Sequence, residues 1–466
     1  MRFMIYFGSE LYQFVLICAI YAVSVLDKKS NQWIAWAALA GVGVAALSLA
    51  NNGLFLYDAY KIDALSQFFK LVIAVGFFIV ALNGKVLSTV DADKRVDYFL
   101  LLAISAWGLM LLCSAVEMMT MVVCLEISSY SLYALVPIRA GSREAAEAGI
   151  KYILFGAAAS AFALMGYSFV LASAHTSYLS LLGPALSVAN PMGMFGITLF
   201  LSSFFYKLAL FPFHFWCPDV YTGTGNETAA FIATIPKVGA MAALIRLIHV
   251  ASPNMALTDT LAILAAVSIT FGNIAALVQT DVKRLLGYSS IAHAGYIMIG
   301  LIAGTAAGIA ASAFYTMAYM MMNLTCFWVV CRMAPNGGNV SLDDLSGLHQ
   351  RAPMLAFVLA VGAFALVGLP PTVGFTGKLF LLSSAWGRGY DWLIIVAAIN
   401  TAFSIFYYLN LVRYAYTAET IQTKAIDLSR SAGAVAMILA GLVLLLGCLP
   451  AFVYDMAFVA GKQILP

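Results

Sequence analysis

The chain has 466 residues, 63% of them hydrophobic and only 10% charged, with a formal net charge of +3. Soluble domains carry about 25% charged residues, so this is the composition of an integral membrane protein. It excludes a soluble enzyme, and with no basic face it excludes nucleic-acid binding.

The first 29 residues, MRFMIYFGSELYQFVLICAIYAVSVLDKK, have no small-residue cleavage site and read as a retained first span, not a signal peptide. A bilayer core of roughly 30 Å asks for about 20 apolar residues per helix. In chain order the runs that meet this are 11–26, 33–50, 64–82, 98–115, 118–138, 148–173, 194–211 with a continuation, 228–249, 260–279, 285–304, 307–331, 354–385 with a break, 391–412 and 432–454, fourteen in all. They are continuous and Leu/Ala-rich with no period-two alternation, which excludes a β-barrel. The seven cysteines (Cys18, Cys113, Cys124, Cys217, Cys326, Cys331, Cys448) form no C-x-x-C pair. They read as small packing residues, not as ligands of zinc or an iron–sulfur cluster.

The loop cations sort by side. Lys28, Lys29, Lys85, Lys94, Arg95, Arg139, Arg143, Lys151, Lys283, Arg284, Arg332, Arg351, Arg413, Lys424 and Arg430 fall on one side, and Arg2, Lys61, Arg388 and Lys462 on the other. By the positive-inside rule the first set is cytoplasmic, which places both termini outside.

Five cations fall within or beside spans: Lys70, Lys207, Lys237, Arg246 and Lys378. An ionisable group at the bilayer centre costs about 2.5–3.5 kcal/mol, so such residues face a bundle interior or a water-filled cavity. Lys70 and Arg246 lie near span ends and read as anchors. Glu126, in MMTMVVCLEISSYSLYAL, is the only carboxylate well inside a span, and helical spacing puts Ser129, Tyr130 and Tyr133 on its face. Lys207, Lys237 and Lys378 lie in three other spans and His293 in a fourth, SSIAHAGYIMIG. Taken singly, each lysine could satisfy a helix end or reach for the interface, and His293 could be a hydrogen-bonded core residue. Together they suggest a line of titratable groups through the protein. A lysine withdrawn from water can titrate near neutral pH and a nearby carboxylate opposes this, so a Glu–Lys pair is a plausible gate.

Two of these spans carry helix breakers. In FYKLALFPFHFWCPDVY, Pro212 follows Lys207, and in ALVGLPPTVGFTGKLFLL, Pro370 and Pro371 precede Lys378. Unwound backbone at membrane depth is tolerated only where protein or water surrounds it. Interrupted helices in oppositely oriented halves point to an inverted-repeat transporter.

FYKLALFPFHFWCPDVYTG, IPKVGAMAALIRL, TDVKRLLGYSSIAHAGYIMIG, DDLSGLHQRAP and GLPPTVGFTGKL resemble, in order and spacing, the antiporter-like membrane subunits of complex I, and within them the N-type branch. The resemblance runs from about residue 60 to 415. It implies an all-α integral membrane protein of about fourteen transmembrane helices, with two inverted five-helix repeats and discontinuous helices 7 and 12. On that plan residues 1–97 hold helices 1–3, 98–250 the first half-channel, 260–417 the second, and 432–466 the last helix. The family pairs a Glu in span 5 with a Lys in span 7, which correspond to Glu126 and Lys207. Lys237 corresponds to the lysine linking the half-channels, Lys378 to that of broken span 12, and His293 to the polar position of span 10. His214 lies just beyond the first break, and Glu147 and Lys151 correspond to inner-loop acidic and basic positions. One stretch departs from the family pattern: Thr224, Gly225, Asn226 and Glu227 follow PDVYTG, and Glu227 reads as an added, solvated carboxylate near the inner surface.

The resemblance implies a proton-translocating subunit of a bacterial inner-membrane NADH–quinone oxidoreductase, with no redox centre of its own. NADH, FMN, iron–sulfur clusters and quinone would be bound by partner subunits. Those partners would be an M-type antiporter-like subunit, small K-, J- and A-type subunits and the peripheral redox arm. A cation/proton antiporter subunit, or a subunit of a hydrogenase-type complex, shares the same motifs and stays open at this point.

Overall fold

Helix follows helix along almost the whole chain, as the unbroken apolar runs demand. The computed structural model describes residues 6–26, 31–84, 87, 89–139, 142–186, 190–251, 255–417, 426 and 428–464. Arg2, Lys28, Lys29, Lys85 and Lys424 of the loop count lie outside the described residues. The elements, in order, are α1 (Gly8–Val25), α2 (Gln32–Leu47), β1 (Gly53–Phe55), β2 (Tyr60–Ile62), α3 (Ala64–Asn83), α4 (Arg95–Ser114), α5 (Met118–Leu135) and α6 (Arg143–Ala174). There follow α7 (Pro191–Phe200), α8 (Ser202–Leu208), α9 (Trp216–Gly223), α10 (Asn226–Ala251), α11 (Met255–Ala276), α12 (Val282–Ile302) and α13 (Ala306–Met333). The last are α14 (Pro353–Val367), α15 (Val373–Ala385), α16 (Asp391–Tyr416), α17 (Arg430–Cys448) and α18 (Ala451–Lys462). Among the described residues, 11 helices are long and apolar enough to cross a membrane, and α2, α14 and α15 are shorter apolar helices.

The all-helical reading needs one amendment. β1 and β2 pair antiparallel, with Leu54 opposite Lys61. The turn between them holds Leu56, Tyr57 and Asp58 at positive φ, and Val116 N–H donates to Ala59 O at 3.0 Å, docking the hairpin where α4 passes into α5. The polar sequence Asn51-Asn52-Gly53 before it supplies the residue types such a connection needs.

α10 and α13 form the centre, their apolar stretches wholly surrounded by protein. α1, α6 and α17 instead leave most of their length outside, with Phe14, Leu154, Phe162 and Ile438 exposed. Apolar surface on that scale fits a lipid environment. Small residues bring the outer helices close: a Cβ on Gly166 would lie 2.4 Å from Gly196 O, so α6 and α7 touch backbone to backbone there.

Both expected breaks are present, and they end alike. At the first, Ala209 takes a left-handed conformation, Leu210 N–H donates to Phe205 O at 2.9 Å and Ala209 N–H to Tyr206 O at 3.0 Å. At the second, Gly368 is left-handed, Leu369 N–H donates to Phe364 O and Gly368 N–H to Ala365 O, both at 3.0 Å. This paired bonding is the Schellman termination, which satisfies carbonyls a helix end would otherwise orphan. Each break also holds a cis X–Pro peptide, Phe211–Pro212 and Pro370–Pro371. The first helix thus stops at Leu208, earlier than Pro212 itself requires. A third interruption corrects the sequence reading: the run 432–454, expected as one span, divides at Pro450 into α17 and α18. Pro450 has no amide hydrogen to continue α17.

The two ends of the bundle differ in charge. Lys151, Asp219 and Arg284 meet at one end, where Lys283 also bonds Thr224 O. At the other end Lys61 lies by Asp63, and Gln463 accepts from Ala64 N–H at 3.0 Å. Phe7 stacks on Tyr60 there at 5.3 Å, so α1 starts and α18 finishes at the same, cation-poor end.

Candidate functional site

Each break leaves a helix C-terminus inside the protein, and each such end holds a lysine. Lys207 stands in the last turn of α8, buried, its Nζ without a hydrogen-bond partner among the described residues. It lies 5.9 Å from the Tyr152 ring centre. Lys378, on α15, reaches back across the second break and donates to Val367 O at 2.8 Å and Leu366 O at 3.4 Å. These are the last carbonyls of α14, and the partial negative charge of a helix C-terminus favours a cation there. Gly374 makes the reach possible, because a Cβ on it would lie 1.7 Å from Ala365 O.

Between the two lysines the interior is polar and aromatic. Lys237 sits at the middle of α10, next to Pro236, which withholds one helical hydrogen bond. Its Nζ donates to Ser290 Oγ on α12. Ser290 Oγ also accepts from Tyr319 O–H on α13 at 2.8 Å, which leaves its own proton for Tyr221 O–H, 3.2 Å away on α9. His293, one turn along α12, is buried with Nδ1 2.8 Å from Tyr315 O–H and Nε2 3.2 Å from Tyr408 O–H. Its ring centre is 5.2 Å from that of Tyr319 and 6.0 Å from that of Tyr296. Tyr296 in turn faces Lys378, whose Nζ is 4.6 Å from the ring centre. Towards Lys207 the rings continue from Tyr221 to Trp216 at 6.3 Å, Tyr152 at 4.9 Å and Tyr133 at 5.3 Å. Lys237, His293 and Lys378 are therefore neighbours through shared hydroxyls and rings, with Lys207 at the other end of the aromatic run.

Glu126 departs from expectation. It lies on the flank of the bundle, half-buried, and accepts from Ser160 O–H on α6. No ion pair joins it to Lys207 among the described residues, though its charge acts on that lysine; Tyr152 packs against both Lys207 and Tyr133. Its polar face is also narrower than spacing suggests, since Tyr130 is 66% exposed. Ser129 spends its hydroxyl on Leu125 O. His214 is buried between Phe211, Phe215 and Phe271, neither ring nitrogen bonded among the described residues. Lys151 binds Glu147 at 2.6 Å and Asp219 at 2.7 Å, and Asp219 binds Arg284 at 2.7 Å, on the rim of a cavity at the cation-rich end.

The residues from 115 to 404 match the family described as NADH:quinone oxidoreductase/Mrp antiporter, TM. Along its length the chain is 58% identical to NADH-quinone oxidoreductase subunit N 2 of Solidesulfovibrio magneticus over 462 residues, 98% of each chain. The chain belongs to this family. It is 42% identical to the subunit N 2 of Opitutus terrae over 96% of each chain. A chain of respiratory complex I from Thermus thermophilus shares 32% identity, with a TM-score of 0.84 over 97% of this chain and 99% of that one. A chain of the Mrp complex from Dietzia superposes at a TM-score of 0.87 with 17% identity over 98% of this chain and 97% of that one, which is likeness of fold.

The NADH:quinone oxidoreductase/Mrp motifs gain a reason from the structure. H-x-W-x-P-D-V-Y and K-R-L-L-G-Y-S-S meet through Asp219 with Arg284, Tyr221 with Ser290 and Cys217 with Gly287 O. Asp219 and most of the interior tyrosines do not stand out in the sequence. Tyr315 and Tyr319, four apart on one helix face, do carry a readable signal. Lys70 and Arg246, read as span-end anchors, are buried ion-pair partners: Lys70 meets Glu10 at 2.5 Å, and Arg246 grips Asp63 at 2.7 and 2.9 Å. Glu10, in the first turn of α1, is itself buried, and its Oε1 also accepts from Tyr60 O–H. Lys283, counted with the loops, is fully buried, and Glu227, read as solvated, is only 6% exposed. α10 begins at Asn226, so the unusual TGTGNE stretch preserves the helix. Among the described residues no group of three or more His, Cys, Asp or Glu is placed to hold a metal ion.

Proposed function

We propose that this chain is a proton-translocating membrane subunit of an NADH:quinone oxidoreductase of the complex I type. The observation that carries the reading is the buried sequence of exchangeable groups from Lys207 through Lys237 and His293 to Lys378. Burying four titratable side chains costs several kcal/mol each unless something is gained, and a fixed scaffold would gain nothing from them. The relatives are named as NADH-quinone oxidoreductase subunits; on this reading electrons pass from NADH to quinone in partner subunits, and this chain moves protons. The ring spacings of 4.6–6.0 Å exceed hydrogen-bond reach, so water molecules would complete the relay there.

Residues 98–250 and 260–417 would form two half-channels of opposite orientation, to which the matching Schellman ends at 209 and 368 lend support. Glu126, on the flank, would respond to a neighbouring membrane subunit of M, K, J or A type, and the tyrosines would pass its influence to Lys207. NADH, FMN and the iron–sulfur clusters would reside in the peripheral arm and quinone in a partner site.

The test of this gate is Glu126→Gln in the assembled complex. Assembly is expected to hold, because Gln still accepts from Ser160, while pumping and coupled quinone reduction fall about tenfold or more. Wild-type rates for both would remove Glu126 from the mechanism.

The cation-rich end would face the cytoplasm of a bacterial inner membrane, with both termini outside. Single cysteines at positions 92 and 180, both exposed, check this by labelling from each side. Position 92 is expected to react from inside and 180 from outside, and a reversal would invert the topology. Position 425, a further inside site on this plan, lies outside the described residues.

A further inference from the structure

A second cluster of buried charge lies in the cation-rich half, ten residues before Lys237 on α10 and so about 15 Å along the helix. Glu227, in the first turn, has an Oε2 with no hydrogen-bond partner among the described residues. Glu10 Oε2 is likewise unbonded among the described residues, but that carboxylate is neutralised through its other oxygen, and Glu117 is satisfied by capping α5. Asp63 receives two guanidinium bonds, and Glu10 takes both Lys70 and Tyr60.

Charged and titratable groups from several elements act on Glu227 or feel its charge. Lys283 on α12, Arg332 on α13 and Arg139 beyond α5 are the cations that act on it. Tyr98 on α4 and Cys331 on α13 are the other ionisable neighbours, and Asp281 caps α12 beside Lys283. Lys283 is spent on Thr224 O at 2.8 Å, and no ion pair closes on Glu227 among the described residues. An oxygen with no donor in such a place is satisfied by a proton or by water.

The cluster also leads somewhere. Lys283 and Ser290 are seven residues apart on α12, two turns along one face and about 10 Å. Tyr221 reaches Ser290 from α9, three residues before the Thr224 carbonyl that holds Lys283. Ser290 holds Lys237. Three helices thus line up Lys283 and Ser290 towards the central lysine, with the Leu286–Gly287 turn of α12 between them.

We propose that Glu227 and Lys283 form a proton-uptake site that supplies Lys237 through Tyr221 and Ser290. A proton from the cation-rich aqueous side converts the Glu227 carboxylate to the acid. Transfer to a neutral Lys283 amine restores the carboxylate and makes an ammonium, which passes the proton by way of water to the Tyr221 and Ser290 hydroxyls and so to the neutral Lys237 amine. No electrons move. This rests on the proton-translocation reading above.

The experiment compares Glu227→Gln, Glu227→Asp and wild type in the assembled complex reconstituted in vesicles. Gln is nearly isosteric and cannot exchange a proton. Proton translocation is expected to fall about tenfold or more in Gln, to recover substantially in Asp, and to lose its dependence on the pH of the cation-rich compartment. In pH-difference infrared spectra of the purified complex, a carboxylic-acid band present in wild type should vanish in Gln. A Gln variant with wild-type rate and pH profile, or an unchanged infrared spectrum, would overturn the uptake site. Blocked pumping in Lys378→Arg beside normal pumping in Glu227→Gln would overturn only this inference; normal pumping in both would overturn the functional reading as well.

Discussion

Lys378→Arg is expected to assemble like wild type and to pump protons about 100-fold more slowly. The lysine has two separable roles. It donates to Val367 O and Leu366 O at the severed end of α14, and it stands against Tyr296 as a titratable group. Arginine retains the first role, since it has donors to spare, keeps the charge and can stack on the same ring. It fails in the second, because a guanidinium does not release its proton in proteins. Lys378→Ala removes both, and two buried carbonyls without a donor cost about 1–3 kcal/mol each. Alanine should therefore lower the amount of assembled complex, whereas arginine should not. Quinone-reductase rates on equal amounts of purified complex separate the outcomes, and a wild-type rate in Lys378→Arg would reduce the residue to a fixed positive charge.

Asp63→Asn should be the most damaging single change away from the lysine line. Asp63 caps α3 through Ser66 N–H and receives Arg246 Nη1 and Nη2 at 2.9 and 2.7 Å, and the guanidinium also bonds Cys113 O at 3.2 Å. Removing one charge leaves the other buried and uncompensated, which costs about 3–5 kcal/mol. The double change Asp63→Asn with Arg246→Met should regain most of that loss, because two neutral groups need no counter-charge. Burial pushes the Asp63 carboxyl up, but the Arg246 guanidinium and the Ser66 amide outweigh it and hold the group below the ordinary carboxylate range. A depressed native value means that this stabilisation is complete above the ordinary carboxylate range. It is lost as pH falls through the depressed one. The melting difference between wild type and Asp63→Asn should stay constant at neutral pH and narrow only in acid. A constant difference throughout the acid range would show that Arg246 is not the source.

The spans and the broken helices were legible because each is a local pattern: an apolar run of fixed length, or proline beside glycine. The four interior groups were legible because charge is so rare here that Lys207, Lys237, His293 and Lys378 stand out against their surroundings. Pairing was not legible. Asp63 and Arg246 are 183 residues apart, and Glu10 and Tyr60 are 50 apart, so only the fold shows that they meet. Depth misled for the same reason. Lys283 follows Asp281 in a charged loop-like stretch, yet α12 carries it beneath α9, where Thr224 O awaits it. Glu126 erred in the other direction: mid-span in sequence, it lies at the bundle's edge with Val123 and Tyr130 exposed beside it. Tyrosine hides best, because it counts as apolar in a hydropathy window and shows its hydroxyl only in the packed interior.

Protons taken up per electron, and their initial rate, in vesicles holding the complex with both Lys207→Arg and Lys378→Arg test the proton line most directly. Both positions would keep their charge and lose their exchangeable proton. Proton uptake about 100-fold below wild type, with the complex fully assembled, is the expected result. A wild-type rate and a wild-type ratio of protons to electrons would show that protons do not travel through these lysines.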